Sequence, residues 1–212
     1  MKHVFFDPWV GLYYYSGING KKIMIMGHVH VCGGCYECGI IKNRDKECAS
    51  FTIKAVNNYI KWRETGENPT PEYKGWLKTF FNFTKAFFGY EPDFKQEKRE
   101  LWDKVLFYNF VQTSVSKWNQ KPNSVDYKKS QVPFMEVINE YNPDIILVWG
   151  SDAFNRTPDG GKSDEPITFE DIIAERYIYT LNSGKQCSMI KIHHPSMYFS
   201  SSKWHEIIKL II

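Results

Sequence analysis

Residues 145–154, IILVWGSDAF, consist of five large apolar residues followed by Gly150 and a short stretch that contains polar side chains. A continuous apolar run of this length, stopped by glycine, is typical of a strand buried inside a parallel sheet. Three other runs have the same character: residues 21–29 (KKIMIMGHV), 104–110 (KVLFYNF) and 188–196 (SMIKIHHPS). The sequence therefore predicts four buried strands.

The segments between these runs predict helices. Residues 51–64 and 70–89 place apolar side chains at helical spacing, and in the second segment Thr70 is a suitable N-cap before Pro71. Further helices are predicted for residues 132–142, 168–177 and 202–212, and loops for residues 117–129 and 156–166. This alternation predicts an α/β fold: a single domain, residues 1–212, built as a three-layer α/β/α sandwich around a four-stranded parallel sheet.

Composition narrows the class of protein. With 212 residues, 42% hydrophobic and 24% charged, the chain is long enough for one sizeable core and resembles an ordinary globular domain. The net charge of +3 does not by itself demand a nucleic-acid partner. No apolar run approaches the roughly 20 residues that span a bilayer, and residues 1–15 lack the pattern of a signal peptide. We therefore expect a cytoplasmic protein without a membrane partner.

Polar side chains follow each predicted strand at the point where it ends. These segments are GHVHVC (27–32), YNFVQTS (108–114), WGSDAF (149–154) and HHPSMYFS (193–200). In open α/β sheets, ligands bind at the carboxyl ends of the strands. The sequence therefore predicts a pocket formed by these four segments.

The same segments occur in the order and places in which they occur in the uracil-DNA glycosylase superfamily, and the sequence resembles that family from about Lys22 to Ile212. The resemblance implies a uracil-DNA glycosylase-like fold. It also implies an N-glycosylase of DNA repair, a hydrolase that removes a deaminated or damaged base flipped out of DNA. The expected partner is therefore DNA, possibly single-stranded, or a free nucleobase.

The resemblance also assigns roles to residues. Gly27 would lead the loop that holds the attacking water, Asn109 would read the base edge, and His194 would stabilise the departing base anion. The segment CASFTIKAV matches the family segment whose aromatic ring stacks on the base, which makes Phe51 the candidate, and Ser196 would grip the DNA. Each residue also has an ordinary alternative: a strand-end histidine, an amide bonded to its own turn, a core aromatic or a helix-capping serine.

The loop after Gly27 departs from the family pattern. Many members carry Asp or Asn two positions after the glycine, or Glu one position after it, whereas this chain has Val29 and His28. Valine cannot accept a proton, so His28 is the candidate for general-base catalysis. His30, two residues after His28, would lie on the same face of the strand as His28. His30 and Val29 would both line the base pocket. The alternative is that both histidines are structural or bind metal.

A cysteine-rich insert lies at about residues 32–48. Its ligand candidates follow a C-x2-C-x2-C pattern with a fourth thiol further on: Cys32, Cys35, Cys38 and Cys48. This density in a reducing compartment predicts a bound metal, either zinc or an iron–sulfur cluster, that orders the inserted loop. The alternative is a set of free, partly buried thiols.

Three functions follow from these expectations. The first is a DNA-base glycosylase-like hydrolase with His194 and His28 as catalytic residues. The second is a catalytically inactive protein of the same fold that binds nucleic acid or a nucleobase, and Val29 favours it. The third is a metal-centred protein whose cysteine cluster is the functional site.

Overall fold

A computed structural model describes residues 1–32, 45–67, 75–91, 100–196 and 198–212 of the chain. It confirms the α/β class. The strands in these ranges are β1 (Trp9–Val10), β2 (Ile23–Gly27), β3 (His30–Val31), β4 (Val105–Asn109), β5 (Ser114–Val115), β6 (Ile145–Trp149), β7 (Lys162–Phe169), β8 (Ile172–Thr180) and β9 (Gln186–Ile192). The helices are α1 (Lys46–Ala49), α2 (Phe51–Thr65), α3 (Gly75–Phe88), α4 (Glu100–Lys104), α5 (Ser124–Tyr141), α6 (Ser151–Phe154) and α7 (Ser201–Ile211).

The main sheet has seven strands in the order β1-β4-β2-β6-β9-β8-β7. Its central strands β4, β2, β6 and β9 run parallel, whereas β1, β8 and β7 pair antiparallel to their neighbours. The prediction of a four-stranded parallel sheet is therefore not confirmed, because the sheet is larger and mixed. Strands β3 and β5 form a separate parallel pair beside it.

Alternation along the central strands divides the core between the two faces of the sheet. Ile23 and Ile25 of β2 belong to a buried cluster with side chains of α2, α3, α4 and α7. Met24 and Met26, which point the other way, pack with side chains of α5 and α6. Successive side chains of a strand point to opposite faces, so these two clusters lie on opposite sides of the sheet. Helices therefore cover both sides.

The helix predicted over residues 168–177 is wrong, because these residues form a β-hairpin. Phe169 of β7 pairs with Ile172 of β8 across a two-residue turn in which Glu170 has a φ of 51°. The spacing of Phe169, Ile172 and Ile173 imitates a helix, and the turn contains no glycine or asparagine to mark it. The loop predicted over 156–166 is also too long, since β7 begins at Lys162.

Helix α5 begins earlier than predicted, inside the polar stretch 117–129. Asn123 accepts hydrogen bonds from the backbone of Val125 and Asp126, and the Asp126 side chain accepts one from the Asn123 backbone. This reciprocal capping box satisfies donors that the first turn would leave unpaired.

The predicted cap at Thr70 and Pro71 lies outside the described residues. In the described ranges, no helix is both long and apolar enough to cross a membrane.

Candidate functional site

Gly27 and Asn109 stand side by side at the carboxyl ends of β2 and β4. They are partners in the strand register, and both are buried. A Cβ built on residue 27 would lie 2.1 Å from Oδ1 of Asn109 and 3.1 Å from Cζ of Phe107. A non-bonded atom cannot approach so closely, so the position of the Asn109 amide depends on glycine at residue 27.

The loops after these two strands remain bonded to each other. The backbone N–H groups of Phe110 and Val111 donate to the carbonyls of Gly27 and His28 at 3.0 and 2.9 Å. Gln112 then donates through its side-chain amide to the Asn109 carbonyl at 2.8 Å. The Gln112 Oε1 accepts from the backbone of Phe5 and Phe6, both at 2.9 Å, so the N-terminal segment anchors this loop.

His30 holds the Asn109 side chain from the other side. Its Nε2 lies 2.8 Å from Oγ1 of Thr52, and Asn109 Nδ2 lies 3.1 and 3.2 Å from its two ring nitrogens. The imidazole is 5% exposed, and burial lowers its pKa to about 3, so it is neutral near pH 7. His30 therefore supports Asn109 and carries no charge of its own.

Phe51 lies against His30. The two ring centroids are 4.8 Å apart in an edge-to-face arrangement, and Phe6 contacts the same imidazole at 4.7 Å. The ring that was expected to stack on the base thus packs, together with Phe6, on His30.

His28 bonds through Nε2 to the hydroxyl of Tyr127 at 2.7 Å. Burial lowers the pKa of His28 to about 4 and raises the pKa of Tyr127, so both groups are neutral near pH 7. An imidazole nitrogen is a better acceptor than a phenol oxygen, and the Arg156 guanidinium, 4.6 Å from the ring centroid, makes the phenol a better donor. Tyr127 therefore donates, and the proton of His28 resides on Nδ1.

His194 is positioned by its own loop. Its Nδ1 lies 2.8 Å from Oγ of Ser196, and the carbonyl of Pro195 accepts a hydrogen bond from Asn82 on α3 at 2.7 Å. Part of the imidazole is exposed, and desolvation by its surroundings lowers its pKa below the ordinary value. If the Ser196 hydroxyl donates to Nδ1, as the relative basicity of the two atoms favours, Nε2–H is left as a free donor.

A cavity of about 260 Å³ lies where these loops meet. Of the predicted site residues, the structure brings six to its wall: Gly27, His28, Val29, His30, Asn109 and His194. The described wall is completed by Val31, Ala55, Thr79, Phe80, Phe107, Trp118 and Trp149. None of these residues is Asp, Glu, Lys or Arg, so the described wall consists of aromatic and aliphatic side chains and uncharged hydrogen-bonding groups.

Phe51 and Ser196 are not part of this wall in the described residues. Ser196 forms a hydrogen bond with His194, which lines the pocket. Phe51 lines a larger cavity of about 890 Å³. The larger cavity shares Val29, His30, Val31, Ala55 and Trp118 with the small one, and it adds polar and basic side chains such as Lys54 and Lys117. The two cavities are therefore adjacent.

Neither a scan against models of known protein families nor a search of curated proteins found a match to this chain.

The predicted metal site falls only partly within the described residues. Cys32 and Cys48 are both partly exposed, and Cys35 and Cys38 lie outside the described ranges. Within those ranges, no three His, Cys, Asp or Glu side chains are grouped closely enough to hold a metal ion. The metal stays a prediction that depends on the cysteines of residues 33–44.

The sequence assigns no individual role to Trp118, Trp149 or Tyr127. Trp118 and Trp149 form part of the pocket wall, and Tyr127 orients His28 from helix α5. Trp149 was recognisable as the last residue of a strand that ends at the pocket. Tyr127 carried no such signal, because it lies in a segment predicted to be a loop.

Proposed function

We propose that the protein is a DNA-base glycosylase-like hydrolase that accepts a deaminated or damaged base in the pocket of about 260 Å³. One observation carries this proposal: Asn109, His28 and His194, from three different strand ends, converge on one small aromatic-walled cavity. Three separate polar groups on a concave apolar surface are what a small-molecule site requires.

The size and walls of the pocket suit a single heterocycle. Drug-sized ligands occupy cavities of roughly 300–1,000 Å³, so a cavity slightly below that range fits a smaller planar ring. Phe80, Phe107 and Trp149 offer aromatic surface to such a ring, and enzymes that act on flipped bases hold them between aromatic or apolar side chains.

The polar groups favour a base rich in carbonyl oxygens. His194 offers an Nε2–H donor to the base when Ser196 donates to its Nδ1, and His28 offers its Nδ1–H to a water beside the base. Asn109 has both an amide N–H and a carbonyl. Deamination replaces an amino group of a base with a carbonyl oxygen, which such donors recognise. A neutral His194 donor would also stabilise negative charge on the departing base.

The larger cavity supports a nucleic-acid substrate rather than a free base alone. Trp118 is 71% exposed at the junction of the two cavities, and Lys54 and Lys117 lie on the same wall. Exposed aromatic rings beside cationic side chains are the means by which proteins bind single strands. A flanking nucleotide stacked on Trp118 would place its neighbour at the small pocket.

A second function is favoured by Val29. This residue stands in the pocket wall where many glycosylases have a carboxylate or an amide, and the described wall contains no acidic residue. A protein that binds the base or strand without cleaving it would have the same pocket. Both functions require the pocket to bind the base, and they differ in whether the protein cleaves the glycosidic bond.

Incubation with oligonucleotides that carry uracil, hypoxanthine or xanthine tests the proposal. Single- and double-stranded forms are compared, and alkali converts each abasic product into a strand break. We expect breaks with at least one base, and a loss of about 10²–10³-fold in His194→Ala, the usual cost of removing one preorganised donor. The control is His3→Ala, since His3 bonds to Glu136 and lines neither cavity. Binding of the strand without cleavage would favour the second function.

A further inference from the structure

A carboxylate approaches the pocket from a different strand end. A second small cavity, about 290 Å³, is lined by His28, Trp149, Gly150, Ser151, Asp152 and His194. Three of these residues, His28, Trp149 and His194, also line the base pocket. Asp152 is the acidic residue of this lining. It therefore faces the same two histidines that the base pocket uses.

The chain turns sharply to place Asp152 there. Strand β6 ends at Trp149, and Gly150 adopts a φ of 86°, a conformation that side chains rarely adopt. A Cβ on Gly150 would lie 3.3 Å from Cβ of His194, so the glycine also lets the His194 loop approach. Asp152 follows in the first turn of α6.

The charge of Asp152 acts on the site. It raises the pKa of His28 in opposition to the larger effect of burial, and it raises the pKa of Tyr127 as well. Nζ of Lys121 lies 3.1 Å from Oδ2 of Asp152, so the carboxylate is also part of an ion pair. The side chain is about half exposed, so water reaches it.

We propose that Asp152 is the general base that activates water, in place of the carboxylate that is missing after Gly27. This inference rests on the proposed glycosylase function. The oxygen of a water in the cavity of about 290 Å³ bonds to C1′ of the deoxyribose as the C1′–N bond breaks. The electron pair of that bond leaves with the base, and the water proton passes to the Asp152 carboxylate. The base anion, held by His194, takes up a proton from solvent and is released, and Asp152 returns the proton that it accepted to bulk water.

His28 has a different part in this step from the one its sequence position indicates. Its Nε2 bonds to the Tyr127 hydroxyl. With Tyr127 as the donor, the Nε2 lone pair cannot accept a proton from the water. Its Nδ1–H donates to the water oxygen and directs the water's own proton towards Asp152. His28 is thus a positioning residue, and the proton acceptor is Asp152.

Single-turnover excision and strand binding, measured separately, test the assignment. The substrate is the modified oligonucleotide that the wild-type protein cleaves fastest. We expect Asp152→Asn to slow excision by about 10²–10⁴-fold, the usual contribution of a general base, and to leave the Kd for the strand within about threefold. Asp152→Glu should retain part of the rate. Asp171→Asn is the matched control, because Asp171 also pairs with a lysine, Lys203, but lies in the turn between β7 and β8.

Chemical rescue makes the test independent of how one variant folds. Asp152→Ala leaves space for a small external carboxylate, so formate should restore part of its excision rate and should not accelerate the Asp171→Asn control. Wild-type rates in Asp152→Asn would overturn the assignment and leave the glycosylase proposal intact. An equal loss of binding and rate would also overturn it, since the residue would then act in recognition. Absence of excision by the wild-type protein would overturn both proposals.

Discussion

The Oδ1 atom of Asn109 occupies the space that a Cβ on Gly27 would need, with a separation of only 2.1 Å. On its other side, the Asn109 amide nitrogen lies at nearly equal distances from both ring nitrogens of His30. The amide is therefore held between two residues of the first loop. The amide that would recognise the base is therefore positioned both by the lack of a side chain at Gly27 and by the imidazole of His30.

Gly27→Ala should destabilise the protein. The added methyl group meets Asn109 and Phe107, and overpacking of this kind costs about 1–3 kcal/mol. Urea unfolding measures the free energy of unfolding. In an Asn109→Ala background the same substitution should cost less, because the closest contact is gone. Equal costs in the two backgrounds would show that the amide is not confined by Gly27.

Acid should destabilise the folded chain through its buried histidines. The pKa of His30 is about 3 and that of His28 about 4 in the folded state, against an ordinary value of 6.5. Above pH 6.5 both states are neutral and these residues contribute nothing. Below it the unfolded chain binds the protons first, so each histidine lowers the free energy of unfolding by up to about 1.4 kcal/mol per pH unit down to its folded pKa.

His30→Gln provides the measurement for this prediction. The variant lacks one of the titrating groups, so its stability should fall less steeply with acidification between about pH 6 and pH 4, by up to about 1.4 kcal/mol per unit. Urea titrations of both proteins at several pH values give the two slopes. Parallel slopes would mean that His30 takes up its proton in the folded protein as readily as in the unfolded chain.

The tautomer of His28 is open to direct observation. With Tyr127 donating to Nε2, nitrogen NMR shifts of labelled protein at pH 7 should identify the Nδ1–H form of His28. In Tyr127→Phe the donor is lost, and the two tautomers should become mixed. Tyr15→Phe is a suitable control, since Tyr15 is exposed and lines neither cavity at the strand ends. An Nε2–H signal in the wild-type protein would contradict the assignment.

The cysteine-rich insert predicts a metal in the purified protein. Elemental analysis should find zinc or iron, and Cys35→Ser or Cys38→Ser should lower the metal content. Cys187→Ala should not, because burial raises the pKa of that thiol to about 12 and keeps it from becoming the thiolate a metal binds. If the metal is structural, its loss should lower stability; if it is functional, activity should fall in a protein that remains folded. Equal metal content in all three variants would count against the site.

The central strands were predictable from sequence because burial on both faces leaves a continuous apolar run. Ile145–Trp149 and Ile23–Gly27 are buried along their whole length, and both were predicted as strands. The polar residues at the ends of these strands are equally recognisable, so the sequence alone places Gly27, Asn109 and His194 at one pocket. This prediction rests on the rule that ligands bind at the carboxyl ends of parallel strands.

The remaining parts of the fold and of the site depend on contacts between distant segments, which no local sequence pattern shows. The hairpin of β7 and β8 was missed because the spacing of Phe169, Ile172 and Ile173 fits a helix. Asp152 was visible in WGSDAF, but nothing in the sequence tells how close it comes to His28, which is more than a hundred residues away. Tyr127 and Trp118 reach the site from segments with no strand or motif of their own. Such partners are set by the packing of the folded chain.

The pocket wall takes residues from chain segments that are far apart, from Gly27 to His194, so it does not exist in the unfolded chain. Any compound that binds in the pocket and does not bind the unfolded chain must therefore raise the melting temperature, whether or not a reaction follows. A ligand at one hundred times its Kd adds about 2.7 kcal/mol. For a chain of this length, each kcal/mol is worth about 2–4 °C. Thermal shifts with a panel of free bases and nucleosides can thus identify the preferred ring without any assumption about chemistry.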